Sequence, residues 1–137
     1  MSDDRYILIA EDDEDDQFLL RSAFNEISED IQLVFVENGI ELIEHFSKFD
    51  RGEINALPCL LIVDLNMPKK NGKEAISELR NRSYFNDFPT IICSTTGNEI
   101  EKSRCRELGI NNFFVKPSDY RVLLSIVSQF KAISELA

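Results

Sequence analysis

The sequence is poor in the residues that several kinds of chemistry require. Its single histidine, His45, lies between Glu44 and Phe46 and reads as a surface or boundary residue, because no candidate partner completes a catalytic pair with it. The three cysteines, Cys59, Cys93 and Cys105, are odd in number and show no C-x-x-C spacing. That argues against zinc or a disulfide framework and for reduced packing thiols. No stretch approaches the roughly 18 apolar residues of a membrane span, and Met1 to Arg5 lacks the apolar core of a signal peptide. Basic residues are outnumbered, 15 Lys+Arg against 25 Asp+Glu, for a net charge of −10 and a pI near 4.5. No basic stripe is left to release counterions from a nucleic acid. The expectation is a cytoplasmic protein with neither membrane nor nucleic-acid partner.

What is present is a domain-sized chain with a lopsided charge. Its 137 residues, 43% hydrophobic and 29% charged, suit one globular domain over 1–137 with a core of about 5–135. Residues 1–64 hold 17 Asp+Glu against 4 Lys+Arg, whereas 65–137 hold 8 against 11. Glu11 to Asp16 is an unbroken run of six carboxylates. Such a cluster attracts metal cations sooner than phosphate backbones.

Short apolar runs alternate with longer amphipathic stretches. The runs Tyr6–Ala10, Ile31–Val36, Cys59–Val63, Thr90–Cys93 and Asn112–Val115 are bounded by polar residues and read as strands. Only the second alternates, so most of the sheet is covered on both faces, as in parallel sheets sandwiched by helices. Helical spacing appears over 14–28 (Phe18, Leu20, Phe24, Ile27), 39–50 (Ile40, Ile43, Phe46), 73–82 (Ala75, Ile76, Leu79) and 119–135 (Leu123, Ile126, Phe130, Ile133). A fourth helix over about 98–108 offers only Ile100, Cys105 and Leu108 for burial, which makes it a candidate moving part. Asn38-Gly39 and Asn71-Gly72 mark turns before helices, Ser118 or Asp119 caps the last one, and Gly109 closes the fourth. Residues 50–58 form the longest loop unless they prolong the second helix. The fold class is α/β: βα repeated five times with right-handed crossovers, an open, doubly wound sheet.

In such a sheet ligands bind beyond the carboxyl ends of the strands. After the first strand come Glu11 and Asp12, after the third Asp64, after the fourth Ser94 and Thr95, after the fifth Lys116. Carboxylates gathered at one edge repel by about 4 kcal/mol per pair at 4 Å and an effective dielectric of 20, so a cation must neutralise them. Hard oxygens without His or Cys favour Mg²⁺, with Mn²⁺ as the alternative. Lys116 adds a fixed cation and Ser94 a hydroxyl, which together suit a phosphoryl group beside Asp64. A carboxylate can itself be the nucleophile, forming an aspartyl phosphate.

Four motifs now stand in order at strand ends: Ile7-Leu-Ile-Ala-Glu-Asp12, Leu61-Ile-Val-Asp-Leu-Asn-Met-Pro68, Ser94-Thr95 and Phe113-Phe-Val-Lys-Pro117. Together they resemble the receiver domain of two-component response regulators over nearly the whole chain. The resemblance implies a flavodoxin-like receiver fold with strand order 2-1-3-4-5. It also implies that Asp64 accepts phosphate from the phosphohistidine of a sensor histidine kinase or histidine phosphotransfer protein. Asp12 and Asp64 would bind Mg²⁺ through carboxylates, Asn66 through its backbone carbonyl and Glu11 mostly through water. Lys116 would bridge Asp64 and the phosphoryl oxygens, and Ser94 would hydrogen-bond the phosphoryl group. The switch would run through Ser94, Thr95 and Phe113, the last by packing alone because it has no hydroxyl, and would remodel the surface of the fourth helix, fifth strand and fifth helix. Asn66 and Thr96 would tune the phosphoryl lifetime. Members of this family are signalling domains that at most catalyse their own phosphorylation and dephosphorylation. With no output domain, the signal would pass to a downstream protein target, and a homodimer through the fourth helix, fifth strand and fifth helix is an option the resemblance brings. Leu65 to Gly72 and the loop before Asp64 are similar to stand-alone receivers paired with kinases of the bacterial phytochrome type.

Simpler explanations cover other features. Asp13 to Asp16 suit the positive end of a helix dipole without any role in chemistry. The same run lacks the glycine of a calcium loop, with Gln17 in its place. Gly72-Lys73 is not a phosphate loop. Lys69, Lys70 and Lys73 fit a docking rim and a solvated loop equally well. A haloacid-dehalogenase-like phosphatase would need an acid two residues past Asp64, where Asn66 stands, and a Rossmann nucleotide site would need glycines where Glu11 and Asp12 stand.

Overall fold

The computed structural model describes residues 5–28, 30–95, 97–110 and 112–136. Thr96 lies outside the described residues. The elements run β1 (Tyr6–Ala10), α1 (Glu14–Ile27), β2 (Gln32–Val36), α2 (Gly39–Asp50), β3 (Leu60–Asp64), α3 (Gly72–Leu79), β4 (Thr90–Ser94), α4 (Glu99–Glu107), β5 (Asn112–Val115) and α5 (Tyr120–Leu136), with a short 3₁₀ turn at Ser83–Phe85. All five strands are parallel, in the order β2-β1-β3-β4-β5. The chain is therefore the five-stranded, doubly wound sheet that its strand and helix pattern implied, in the predicted order.

The pleat sends alternate residues to two cores. Ile7, Ile9, Leu60, Ile62 and Ile91 pack under α1 and α5, against Leu20, Phe24, Val127 and Phe130. Leu8, Ala10, Leu61, Val63 and Ile92 pack on the opposite face, against Leu42 and Phe46 of α2, Ala75, Ile76 and Leu79 of α3 and Cys105 of α4. β3 is buried along its whole length, whereas edge strand β2 alternates between exposed and covered positions. No cysteine is in a disulfide. Among the described residues no helix is long and apolar enough to cross a membrane.

Each helix is capped beside the carboxyl edge of the strands. Asp13, Asn38, Asn71 and Asn98 accept backbone N–H groups of α1, α2, α3 and α4, and at α3 Glu74 reciprocates to complete a capping box. Asp119, rather than Ser118, receives the Arg121 N–H at 2.8 Å. Gly109, at φ 82°, follows α4 in the left-handed conformation expected of a helix terminator.

Three expected core residues lie outside. Phe18 is 67% exposed, Ile40 53% and Ile100 66%. The face of α1 that packs inward is set by Leu20 and Phe24, four apart, and Phe18 is two residues out of phase with it. α2 buries Leu42 and Phe46 by the same rule, and α4 buries Cys105 alone. α3 stops at Leu79 instead of 82, and the following 3₁₀ turn brings Phe85 into the core. The loop after α2 does not prolong the helix. It is tied to β1, where the Tyr6 hydroxyl donates to the Ala56 carbonyl at 2.9 Å and meets His45 Nε2 at 2.8 Å. Of the basic triplet, Lys70 pairs with Glu78, and Lys73 reaches Glu101 at 3.4 Å, joining α3 to α4.

Candidate functional site

The pleat that builds the two cores also sorts the side chains at the strand ends. Glu11 continues the parity of Ile7 and Ile9, Asp64 that of Leu60 and Ile62, and Lys116 that of Phe114, all on the face under α1 and α5. Ser94 continues the parity of Ile92, and Phe113 belongs to the other core. The acid and lysine cluster and the Ser94–Phe113 pair thus leave the same edge on opposite faces of the sheet.

Asp64 ends β3 and is only 5% exposed. Its Oδ1 accepts the Asn66 N–H at 3.0 Å and its Oδ2 the Lys116 ammonium at 2.9 Å. Glu11, 2% exposed, is held by its neighbours: Oε2 accepts the Asp13 N–H at 3.1 Å, and its carbonyl accepts Gln17 Nε2 at 2.6 Å. Lys116 Nζ lies 2.6 Å from Glu11 Oε1 and 2.8 Å from Asp16 Oδ2. One ammonium therefore meets three carboxylates with its three N–H donors.

That crowding sets the proton affinities. Burial pushes the Glu11 carboxyl up to about 7, assisted by the charge of Asp64 and opposed by the Lys116 hydrogen bond. For Lys116 burial pulls downward, but hydrogen bonds to Asp16, Glu11 and Asp64 outweigh it and hold the ammonium above the usual lysine range. Cys93, in register with Asp64, has its thiol pushed up to about 12 chiefly by burial, so it offers no competing thiolate. Beneath Lys116 a cavity of about 50 Å³ between α1 and α5 is lined by Leu20, Cys93, Phe114, Ile126 and Phe130. This apolar floor lowers the local dielectric and strengthens the charge interactions above it.

Glu11, Asp12 and Asp64 can each bring a carboxylate oxygen within 4.8 Å of the others. Three hard anionic donors against one ammonium leave an excess of negative charge, and the charge of Asp64 adds to the burial that raises the Glu11 carboxyl. The donor set fits a divalent cation of the Mg²⁺ or Mn²⁺ type. Asn66 is exposed beside it, directly after the buried Leu65. Gly72 at the start of α3 is required here, because a Cβ would stand 2.7 Å from the Asp64 carbonyl oxygen and 2.8 Å from Val63 Cγ1.

On the other face Ser94 is fully buried at the end of β4, Thr95 is exposed, and Phe113 is half-buried with Lys102 Nζ 5.9 Å from its ring centre. Ile92 and Phe113 are paired in register, so the hydroxyl-bearing strand end and the aromatic ring are neighbours on one side of the sheet.

Asp16 escaped the sequence reading, in which Asp13 to Asp16 needed only a helix dipole. Asp13 does cap α1, receiving Asp15 and Asp16 N–H groups, but Asp16 turns inward. The signal was available in the spacing: 16, 20 and 24 fall four apart, on the stripe that buries Leu20 and Phe24.

The parallel sheet thus brings a buried aspartate, an acidic pair and a lysine together at its carboxyl edge. The family model described as response regulator receiver domain matches residues 7–128, and the chain belongs to that family. It is similar to the response regulator Rcp1 of Synechocystis, 26% identical over 123 residues that cover 90% of this chain and 84% of that protein. Among solved structures it resembles the phosphorylated cyanobacterial phytochrome response regulator RcpA, at 25% identity and a TM-score of 0.83, covering 93% of this chain and 91% of that one. The Mn²⁺-bound form of Rcp1 shares the fold at 24% identity and a TM-score of 0.81, covering 93% and 92%. Receiver domains work in two-component signalling and bind a divalent metal; they are signalling domains rather than turnover enzymes.

Proposed function

We propose that this chain is a stand-alone cytoplasmic receiver in a two-component phosphorelay, with Asp64 as its phosphoacceptor. The observation that carries the reading is the buried Asp64 carboxylate held 2.9 Å from the Lys116 ammonium beside Glu11 and Asp12. A carboxylate oxygen of Asp64 attacks the phosphorus of a phosphohistidine on a sensor histidine kinase or phosphotransfer protein. The new O–P bond forms as the P–N bond breaks, and the imidazole departs with the bonding pair.

Glu11, Asp12, Asp64 and the Asn66 carbonyl would hold Mg²⁺, or Mn²⁺ as in the solved form of Rcp1. When bound, the cation supplies charge neutralisation for the phosphoryl oxygens. Lys116 supplies a second positive charge beside Asp64, and the Ser94 hydroxyl donates to the acquired phosphoryl group. Drawing Ser94 toward that group shifts Thr95 and α4, which has only Cys105 buried, and Phe113 repacks.

The output surface is α4, β5 and α5. Ile100, Val115 and Val122, one on each of these elements, are exposed apolar side chains available to a downstream protein or a second copy of the chain. The similarity to Rcp1 and RcpA supports a kinase of the phytochrome type as donor. Incubation with acetyl phosphate and Mg²⁺ tests the reading: one acid-stable, alkali-labile phosphoryl group per chain is expected, and steady release of phosphate without an adduct contradicts it.

A further inference from the structure

The three partners of Lys116 are not equivalent. Glu11 and Asp64 belong to the carboxylate group that can close around a cation, whereas Asp16 does not. Both oxygens of Glu11 and of Asp64 also have partners without a metal, since each residue gives one oxygen to Lys116 and the other to a backbone N–H. Any cation entering the group competes with Lys116 for these oxygens. Asp16 approaches from α1, with its side chain one-third exposed, and its 2.8 Å contact with Lys116 spans 100 positions of sequence. It lies four residues before Leu20, so the packing of α1 on the sheet fixes where the carboxylate stands.

We propose that Asp16 is a positioning residue for Lys116: it retains the ammonium at the mouth of the site when Glu11 and Asp64 turn their oxygens toward a divalent cation. This rests on the reading of Asp64 as phosphoacceptor. A lysine with four rotatable side-chain bonds would otherwise have two outcomes in the charged site. It would cling to Glu11 and Asp64 and oppose the metal, or swing into solvent and be absent when the phosphoryl oxygens arrive. Asp16 removes both by giving Lys116 a counter-ion of its own. Removal of Asp16 therefore weakens metal binding while Lys116 clings to Glu11 and Asp64, and leaves the lysine without a counter-ion once saturating Mg²⁺ takes their oxygens.

Asp15 provides the control, because it is exposed, carries the same charge one residue away, and contributes to the α1 cap through its backbone N–H. Mg²⁺ affinity of the full chain is measured by calorimetry, and the Lys116 ammonium is followed by its ¹⁵N resonance, with and without Mg²⁺. Asp16→Asn is expected to bind Mg²⁺ roughly tenfold more weakly, against twofold or less for Asp15→Asn, where solvent screens the lost charge. In the wild type the Lys116 signal remains protected from exchange in Mg²⁺; in Asp16→Asn it exchanges rapidly, and Asp16→Glu restores protection in part. Equal effects of Asp16→Asn and Asp15→Asn, or a Lys116 signal that Mg²⁺ leaves protected in Asp16→Asn, overturn the proposal. Phosphorylation of Asp64 by acetyl phosphate is scored in the same samples. Its absence in the wild type removes the underlying reading, whereas normal labelling with indistinguishable variants removes only the role of Asp16.

Discussion

The carbonyl oxygen of Ser94 accepts the backbone N–H of Lys116 at 2.7 Å, extending the β4–β5 ladder one residue past its last pair, Ser94 and Val115. The bond fixes two strand ends whose side chains diverge, Lys116 toward Asp64 and Ser94 toward the face of α3 and α4. Charge handling and response are therefore separable by mutation. Ser94→Ala should accept a phosphoryl group on Asp64 and bind Mg²⁺ within about twofold of wild type, because it removes no charge from the cation group. Hydrogen exchange of residues 99–107 should rise on phosphorylation in the wild type and stay flat in the variant. An unchanged rise in Ser94→Ala removes Ser94 from the switch.

Lys116 neutralises two buried carboxylates, so its loss has a stability cost that metal can repair. Lys116→Met should destabilise the metal-free protein by about 1–3 kcal/mol, the scale for leaving a buried charge without its partner after discounting for solvent access. Saturating Mg²⁺ should recover part of that loss in urea denaturation. A variant as stable as wild type without metal, and indifferent to Mg²⁺, argues against the charge balance described for this site.

Gly72 offers a steric test that touches no ionisable group. Gly72→Ala places a methyl group against the Asp64 carbonyl and Val63, and the backbone between Asp64 and α3 must give way. The expected cost is about 1–3 kcal/mol in denaturant unfolding, as for other overpacked sites. Gly52→Ala is the contrast, since its Cβ would meet nothing within 4 Å and only its positive φ of 77° resists.

His45 gives a pH dependence that involves none of Glu11, Asp12 and Asp64. The Tyr6 hydroxyl has one proton, and the Ala56 carbonyl can only accept it, so His45 Nε2 must be the donor to the Tyr6 oxygen. Burial, with Lys48 nearby, lowers the His45 pKa below its ordinary 6.5. The folded state then binds fewer protons than the unfolded state, and stability falls as pH drops through 6.5 toward the folded value. His45→Gln, which keeps a donor for Tyr6, should remove this slope. The difference between wild-type and variant unfolding free energies at pH 8 and 5.5 reads it directly, and equal values at both pH values contradict the assignment.

The architecture was legible because β1, β3 and β4 are buried on both faces and write themselves as unbroken apolar runs, and because Asp and Asn caps punctuate the helices. The candidate site was legible for a related reason: in a parallel sheet, whatever follows each run stands at one edge, so Glu11, Asp12, Asp64, Ser94 and Lys116 could be gathered without contacts. Helix faces were less legible. Phe18 and Ile40 look like core residues by type, but the phase of each helix is set by its strongest i, i+4 pair, and both fall outside it. The same neglect of phase concealed Asp16, which hydropathy alone assigns to solvent and the Leu20 stripe carries inward. Nor could the sequence show that the pleat divides Lys116 from Ser94, because that depends on where each strand stops.

The most direct test of the account is where the phosphoryl group goes. Wild-type protein and Asp64→Asn are treated with acetyl phosphate and Mg²⁺, the adduct is trapped by borohydride reduction, and peptides are mapped by mass spectrometry. The account predicts a single modified aspartate, Asp64, in the wild type and no adduct in Asp64→Asn. Equal labelling of the variant, or an adduct on another residue of the wild type, would contradict it.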